Sequence, residues 1–278
     1  MAEFPKQAKV VIVGLGGIVG SSIAHHLIEL GWDDIVGLDK SAIPTDIGST
    51  SHASDFCYTT GADKFTAYTT QYSQQFFESR GNYVRCGGLE VARVDDDARM
   101  LELKRKIGQG KAFGSRVSLI SPAEAKAKFP LLAEDQIQGA LWDPDAGLVV
   151  PRSQKVAGDL VDEAVASGKL KAFPNTPALK IVVDAGRVIG VETRRGFIAS
   201  EKVVLSVGIW GPLLADQVGS KLPLMPLEHP LLFFGPYDEL TGSGQEIVYP
   251  LFRDQGNSSY VRDTGDPKTT EGGRVEWG

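Results

Sequence analysis

The chain begins its ordered pattern with Lys9 and an unbroken apolar run, Val10 to Val13, that stops at Gly14. A short valine- and isoleucine-rich run without alternation reads as a parallel strand covered on both faces. From Ser21 to Leu30 the apolar positions Ile23, Leu27 and Leu30 recur at helical spacing, and Gly31 marks the end of that helix. Ile35 to Asp39 is a second apolar run closed by an acid. Strand, helix and strand fit within about thirty residues, as a right-handed crossover requires.

Further along, the pattern predicts a helix over Lys64–Arg80, a strand over Gly87–Arg93 and a helix over Ala98–Ile107. Ser121-Pro122-Ala123-Glu124 is a helix start, with a capping serine, proline at the first position and glutamate three residues on. A turn over Leu141–Gly147 and a helix over Pro151–Ala166 follow. Pro177–Val191 reads as a hairpin about Asp184-Ala185-Gly186, Val203–Ser206 as a strand, and Gly208–Gly211 as the entry to a short helix. From Pro223 the chain is strand-rich and punctuated by prolines. There is no internal repeat, low-complexity tract or linker. The expected fold is α/β, or α+β overall: a Rossmann-like domain interleaved with a mixed-sheet domain.

Composition narrows the function. The 278 residues are 42% hydrophobic and 23% charged, with a formal net charge of −6. A mildly acidic surface argues against a nucleic-acid partner. The densest basic run, Lys104-Arg105-Lys106, lies on an expected helix with acidic neighbours. No apolar run is long enough to span a membrane, and no leader pattern opens the chain. The two cysteines, Cys57 and Cys86, form no C-x-x-C pair and no metal-ligand cluster, so no metal site is expected. Buried thiols suit a reducing compartment, and the expected location is the cytoplasm.

The first strand, the turn Gly14-Leu15-Gly16-Gly17-Ile18-Val19-Gly20, the helix and Asp39 together form a dinucleotide-binding pattern. The glycines let backbone N–H groups approach a pyrophosphate, the helix N-terminus stabilises its charge, and Asp39 accepts from a ribose hydroxyl. The spacing is one residue longer than G-x-G-x-x-G, which leaves the register open. The competing reading is a glycine-rich turn that binds nothing.

Five segments, "VVIVGLGGIVGSSIAHHL", "IVGLDK", "GSTSHA", "GGLEVA" and "VGIWG", occur in an order and spacing that resembles the D-amino-acid oxidase-like flavoproteins. Within them the chain is most similar to the FAD module of dimethylglycine and sarcosine dehydrogenases and dimethylglycine oxidase. The resemblance implies FAD bound over Gly14, Gly16, Gly17 and Gly20, with its ribose at Asp39 and Lys40 beside it. It implies that Ser49, Thr50 and Ser51 hydrogen-bond the cofactor and that His52 carries the flavin covalently. Residue type alone would make that stretch a plain polar loop. Ala178 matches the position whose backbone meets the adenine. Gly208 and Trp210 match a turn beside the cofactor in which Val207 replaces an alanine; Trp210 also reads as a core tryptophan. By the same resemblance, residues 1–62 and 148–220 form the FAD-binding domain, and 63–147 with 221–278 the substrate domain.

The resemblance places His229 and Tyr260 at the catalytic centre. A buried, hydrogen-bonded core histidine is the alternative for His229, and Leu231 stands where the family often has a tyrosine. Strand alternation puts Tyr260 and Arg262 on one face, so that Arg262 is either a carboxylate ligand or a surface arginine. His25 and His26 read as structural or exposed. The implied reaction is oxidative demethylation of a small N-methylated amino acid, with hydride passing from the N-methyl carbon to flavin, and oxygen or an electron-transfer flavoprotein as acceptor. The alternatives are a glycine oxidase-like enzyme with noncovalent FAD, or an inactive flavoprotein or partner subunit. The family's second glycine motif finds no match in "EGGRVEWG", so the chain reads as C-terminally truncated. Tetrahydrofolate enters only with a folate-binding domain beyond it.

Overall fold

The computed structural model describes residues 3–61, 63–266 and 272–278. Glu271, within the terminal segment just quoted, lies outside the described residues. Two compact units emerge, each discontinuous in sequence: residues 1–53 with 152–227, and residues 54–151 with 228–278.

The first unit is built on a parallel sheet in the order Val203–Leu205, Val10–Val13, Ile35–Leu38, Leu170–Phe173. The two central strands, Val10–Val13 and Ile35–Leu38, are buried at every position because both faces are covered, whereas the edge strand Leu170–Phe173 carries the exposed Lys171. Val10, Ile12 and Ile35 pack with Leu15, Ala24 and Val161 under the helices Ile18–Glu29 and Ser153–Ala166. Val11, Val13, Val36 and Leu38 pack against Ile181, Val191 and Ile198. Those three belong to an antiparallel meander, Ala178–Asp184, Arg187–Thr193 and Gly196–Ala199. The expected hairpin therefore has a third strand, which its short Gly196-Phe197-Ile198-Ala199 sequence signals only weakly. The first helix starts three residues before the expected Ser21, because its N-terminus is set by Gly17 and a side chain from another loop rather than by its apolar periodicity.

The second unit carries a seven-stranded mixed sheet. Its order is Leu232–Phe234, Val275–Trp277, Ser259–Asp263, Leu251–Asp254, Gly88–Arg93, Ile137–Asp143, Ser118–Ile120. Leu89 and Val91 pack with Phe129 and Leu132 on one face. Ala92 and Leu141 pack under Met100, Leu103 and Ile107 of the helix Asp97–Ala112 on the other. That helix runs five residues past the expected Ile107. The Ser121 capping box is formed: Ser121 N–H donates to Glu124 Oε2 at 2.8 Å, and Glu124 N–H to Ser121 Oγ at 3.3 Å. A small sheet of Phe56–Cys57, Gly147–Val149 and Tyr83–Arg85 completes the unit. No helix among the described residues is long and apolar enough to cross a membrane.

Candidate functional site

In the first unit the glycine turn resolves the register that spacing left open. Gly14 adopts φ +90°, and a Cβ there would sit 2.4 Å from the Ser206 carbonyl oxygen. Gly14 N–H and Leu15 N–H both donate to the Leu38 carbonyl, at 2.8 and 3.0 Å, and Leu15 is fully buried. The longer turn is thus tucked against the end of the second strand. Gly16 donates its N–H to Asp39 Oδ2 at 2.8 Å, and its carbonyl accepts from Thr45 N–H at 3.0 Å. Gly17 is the N-cap, extended at φ −86° and ψ 161°, and the first turn holds no acidic residue. Gly20 lies where the helix crosses the first strand; a Cβ there would meet the Gly14 carbonyl oxygen at 2.1 Å.

The loop after Asp39 folds back onto this turn. Ile18 N–H donates to Thr50 Oγ1 at 3.0 Å, so the "GSTSHA" stretch supplies a cap to the helix in sequence contact only through space. Asp39, 6% exposed, accepts from Gly16 N–H through one carboxylate oxygen and from Ser41 N–H and Oγ–H through the other. Ser51 Oγ donates to the Gly48 carbonyl at 2.8 Å. His52 is exposed, with Nδ1 3.0 Å from the Gly48 carbonyl oxygen and 3.0 Å from Ser51 Oγ. A carbonyl only accepts, so the ring proton belongs on Nδ1, leaving the lone pair on Nε2.

These elements border a cavity of about 820 Å³. Gly14, Gly17, Asp39, Lys40, Ser49, Thr50, Ala178, Gly208 and Trp210 line it, whereas Gly16, Gly20, Ser51 and His52 do not. Gly16 and Gly20 serve the turn and the helix crossing instead. Trp210 is half-buried rather than a core tryptophan, and the Lys40 ammonium stands 3.2 Å over its ring centroid. Partial desolvation holds the Lys40 ammonium below its ordinary value, with Asp39 opposing the shift. Thr45, Pro177, Leu179 and Gln217 also line the cavity. Sequence reasoning missed them, because a loop residue and a strand end carry no pattern of their own.

The chemistry of this lining fits an extended dinucleotide. It offers a helix N-terminus free of acidic residues, a glycine surface open to close approach and a carboxylate at the end of the second strand. Its volume lies in the range of small-molecule and cofactor sites, roughly 300–1,000 Å³.

In the second unit the expected catalytic residues meet. The His229 and Tyr260 rings stack at 5.6 Å between centroids, 27° from parallel. His229 is exposed and so is not the core histidine of the alternative reading. Phe56 presents its edge to Tyr260 at 5.1 Å. Leu231, where a tyrosine is often found, is half-buried and offers no hydroxyl. Arg262 departs from both expectations. It is 6% exposed and donates Nε–H and Nη2–H to Glu276 Oε2 at 3.1 and 2.8 Å. It is neither a surface arginine nor free for a ligand, because Glu276 faces it from the neighbouring strand. Arg253, which sequence reasoning did not single out, is cross-strand partner to Tyr260.

His25 and His26 are half-buried, and His25 Nε2 lies 3.3 Å from Glu29 Oε1. Cys57 and Cys86 are unpaired and half-buried rather than fully buried. Burial pushes the Cys57 thiol up to about 11 and the Cys86 thiol up to about 12.

Residues 9–278 match the family described as FAD dependent oxidoreductase, DAO. The chain is 30% identical over 268 residues to the mitochondrial pyruvate dehydrogenase phosphatase regulatory subunit of Mus musculus, covering 93% of this chain and 29% of that protein. It is 30% identical over 281 residues to the mitochondrial sarcosine dehydrogenase of Homo sapiens, covering 96% of this chain and 29% of that protein. Among solved structures it is similar to L-proline dehydrogenase from P. horikoshii, with a TM-score of 0.83 at 24% identity, covering 99% of this chain and 70% of that one. The last is a likeness of fold. The chain spans 29% of the length of these two relatives.

Proposed function

Because the chain belongs to the FAD dependent oxidoreductase (DAO) family, we propose that it binds FAD in its first unit and takes part in oxidative demethylation of an N-methyl amino acid of the dimethylglycine or sarcosine type. The observation that carries the reading is the cavity of the first unit, which glycine turn, Asp39 and the Thr50 loop line together. The likeness to sarcosine dehydrogenase supports the substrate class.

When bound, FAD supplies the acceptor for the hydride lost from the carbon next to the substrate nitrogen. The chain's own groups do the rest. The helix N-terminus beginning at Gly17 would take the pyrophosphate, and Asp39 Oδ2, which accepts only from Gly16 N–H, keeps a lone pair for a ribose hydroxyl, whereas Oδ1 already accepts two bonds from Ser41. Ser49 and Thr50 offer hydroxyls to the cofactor. His229 and Tyr260 meet the substrate amine, orient it and favour its neutral form, from which hydride can leave. His52 does not line the cavity; for a covalently held flavin its Nε2, the atom left with a lone pair, would be the attachment point. Oxygen or an electron-transfer flavoprotein would be the final electron acceptor, and tetrahydrofolate would enter only where a folate-binding domain accompanies the chain. The unpaired Cys57 and Cys86 support a reducing compartment, the cytoplasm, which localisation of the tagged protein would check.

The test is turnover of dimethylglycine and sarcosine by the FAD-loaded protein with an artificial electron acceptor. A folded, loaded sample that turns over neither substrate refutes the reading. It would favour the second one, a partner subunit without catalysis of its own, which the 30% identity to a regulatory subunit supports. Acid precipitation separates the covalent form from a glycine oxidase-like site. Colour should stay with the protein and become extractable in His52→Ala; colour released from the unaltered chain rules the link out.

A further inference from the structure

We propose that the second unit carries a binding site for a free α-amino acid with an apolar side chain, on the face of its seven-stranded sheet opposite the His229–Tyr260 pair. The site does not depend on the N-methyl amino-acid reading, and that reading uses none of its residues.

A cavity of about 250 Å³ lies on that face. Val91, Phe129, Leu132, Ile137, Phe252 and Val261 form its apolar wall. The Phe129 and Phe252 rings stack at 5.6 Å between centroids, 19° from parallel, and Tyr249 meets the Phe129 ring edge-on at 5.7 Å. The aromatic floor is therefore held from two sides. Successive residues of a strand point to opposite faces, so Val261 turns to the cavity while its neighbours Tyr260 and Arg262 turn away from it. The volume is a little below the usual range for cofactor sites, roughly 300–1,000 Å³, which limits the occupant to a small molecule.

Two opposite charges, Arg93 and Asp254, also line the cavity. Arg93 ends the strand Gly88–Arg93 on the same face as Leu89 and Val91. It is exposed, and its guanidinium makes no ion pair or hydrogen bond among the described residues. The neighbouring strand bulges beside it: Ala92 pairs with Gly139 but Arg93 with Ile137, which leaves Gln138 over. A bulge bends the strand and interrupts the regular ladder at that point. Asp254 comes one step after the Arg253–Glu90 pair, level with Val91. It and Arg93 thus stand two residues apart along the strands, roughly 7 Å, and do not pair with each other. Asp254 Oδ2 accepts from Asn257 Nδ2 at 2.7 Å, which fixes the carboxylate, while Oδ1 has only a long contact, 3.4 Å, with Asn257 N–H. A cation and an anion that bracket an apolar cavity are complementary to a zwitterion with an apolar body. Its carboxylate would take the Arg93 fork, its ammonium Asp254 Oδ1, and its side chain the Phe129–Phe252 floor. A fatty acid would meet Asp254 as a like charge, and an alkylamine would meet Arg93 in the same way.

The experiment titrates the purified chain with L-leucine by calorimetry. Leucine should bind. Isocaproate, which lacks the ammonium, isoamylamine, which lacks the carboxylate, and glycine, which lacks the apolar side chain, should each bind roughly tenfold or more weakly. Arg93→Gln and Asp254→Asn should weaken leucine by a similar factor. His229→Ala should leave it unchanged, which separates this site from the expected catalytic pair, where the proposed substrate would bind. No binding of leucine, binding that either rim variant retains at full strength, or binding lost in His229→Ala overturns the assignment. If Asp254→Asn fails to fold because its turn with Asn257 is lost, the probes on the unaltered chain decide the part of the acid: equal affinity for leucine and isocaproate refutes it. A failure to turn over dimethylglycine or sarcosine would refute the N-methyl reading and leave this site standing.

Discussion

The Gly16 N–H donates to Asp39 Oδ2 at 2.8 Å. The acid expected to receive a ribose hydroxyl also holds the glycine turn in place, through a residue 23 positions earlier in the chain. In the proposed function, the fold of the turn and cofactor binding at this site would therefore be coupled.

Asp39→Ala should show both losses. It strips the acceptor from Gly16 N–H, Ser41 N–H and Ser41 Oγ–H in a buried setting. We expect about 2–3 kcal/mol of destabilisation in urea unfolding without FAD. FAD titration should show weakened binding as well. Asp39→Asn keeps an acceptor on one side only and sets its NH2 against a backbone N–H on the other, so it should recover only part of the stability. If both variants unfold like the unaltered chain, the clamp on the turn is unimportant.

Gly20→Ala tests the helix crossing. The new Cβ would meet a backbone oxygen at 2.1 Å, which no rotamer change relieves. The helix must move off the strand, at a cost of about 1–3 kcal/mol or more, and the N-terminus of the helix Ile18–Glu29, which borders the cavity, moves with it. Gly108→Ala, on an open helical position, is the control and should be neutral or slightly stabilising. Thermal unfolding with FAD titration reads both.

Glu276→Ala leaves Arg262 as a buried charge without its partner. The loss should be about 3–5 kcal/mol by denaturant unfolding. Arg262→Met with Glu276→Leu should recover much of it, since a buried ion pair is replaceable by apolar volume. The Oε1 oxygen of Glu276 has no hydrogen-bond partner among the described residues, so the pair is not fully compensated even now. A small effect of Glu276→Ala would mean that water reaches Arg262.

Cys57 gives the chain a pH dependence on its alkaline side. Burial first, and then Asp55, raise its thiol to about 11 in the fold, against about 8.5 in an unfolded chain. The folded state binds the proton more tightly. Its contribution is complete below about 8.5 and is lost as pH rises toward 11. The denaturation midpoint should fall over that window, and Cys57→Ser should flatten the fall. At pH 8 the native thiol should react slowly with iodoacetamide and quickly once unfolded; equal rates would contradict the shift.

How much was legible in the sequence differs from segment to segment. The β-α-β unit announced itself because Val10–Val13 and Ile35–Leu38 are apolar throughout, and Ile23 and Leu27 repeat at helical spacing. The Ser121 cap was legible for the same reason: its partners are three residues apart. Such features depend on neighbours in the chain, and a linear pattern records them.

Features made by residues far apart in sequence were not legible. The turn register depends on Leu38 and Asp39 reaching back to Gly14, Leu15 and Gly16. The helix N-terminus depends on Thr50, 32 positions from Ile18. The role of Arg262 was decided by the carboxylate that the sheet brought near. Alternation could place Arg262 beside Tyr260, but only strand pairing put Glu276 opposite it, and only packing put Arg253 over Tyr58 and Phe56. The sequence by itself determined the elements and the residue types available to the site. The tertiary structure decided which charges are neutralised, because electrostatic pairing falls off over a few ångströms and depends on distance in space.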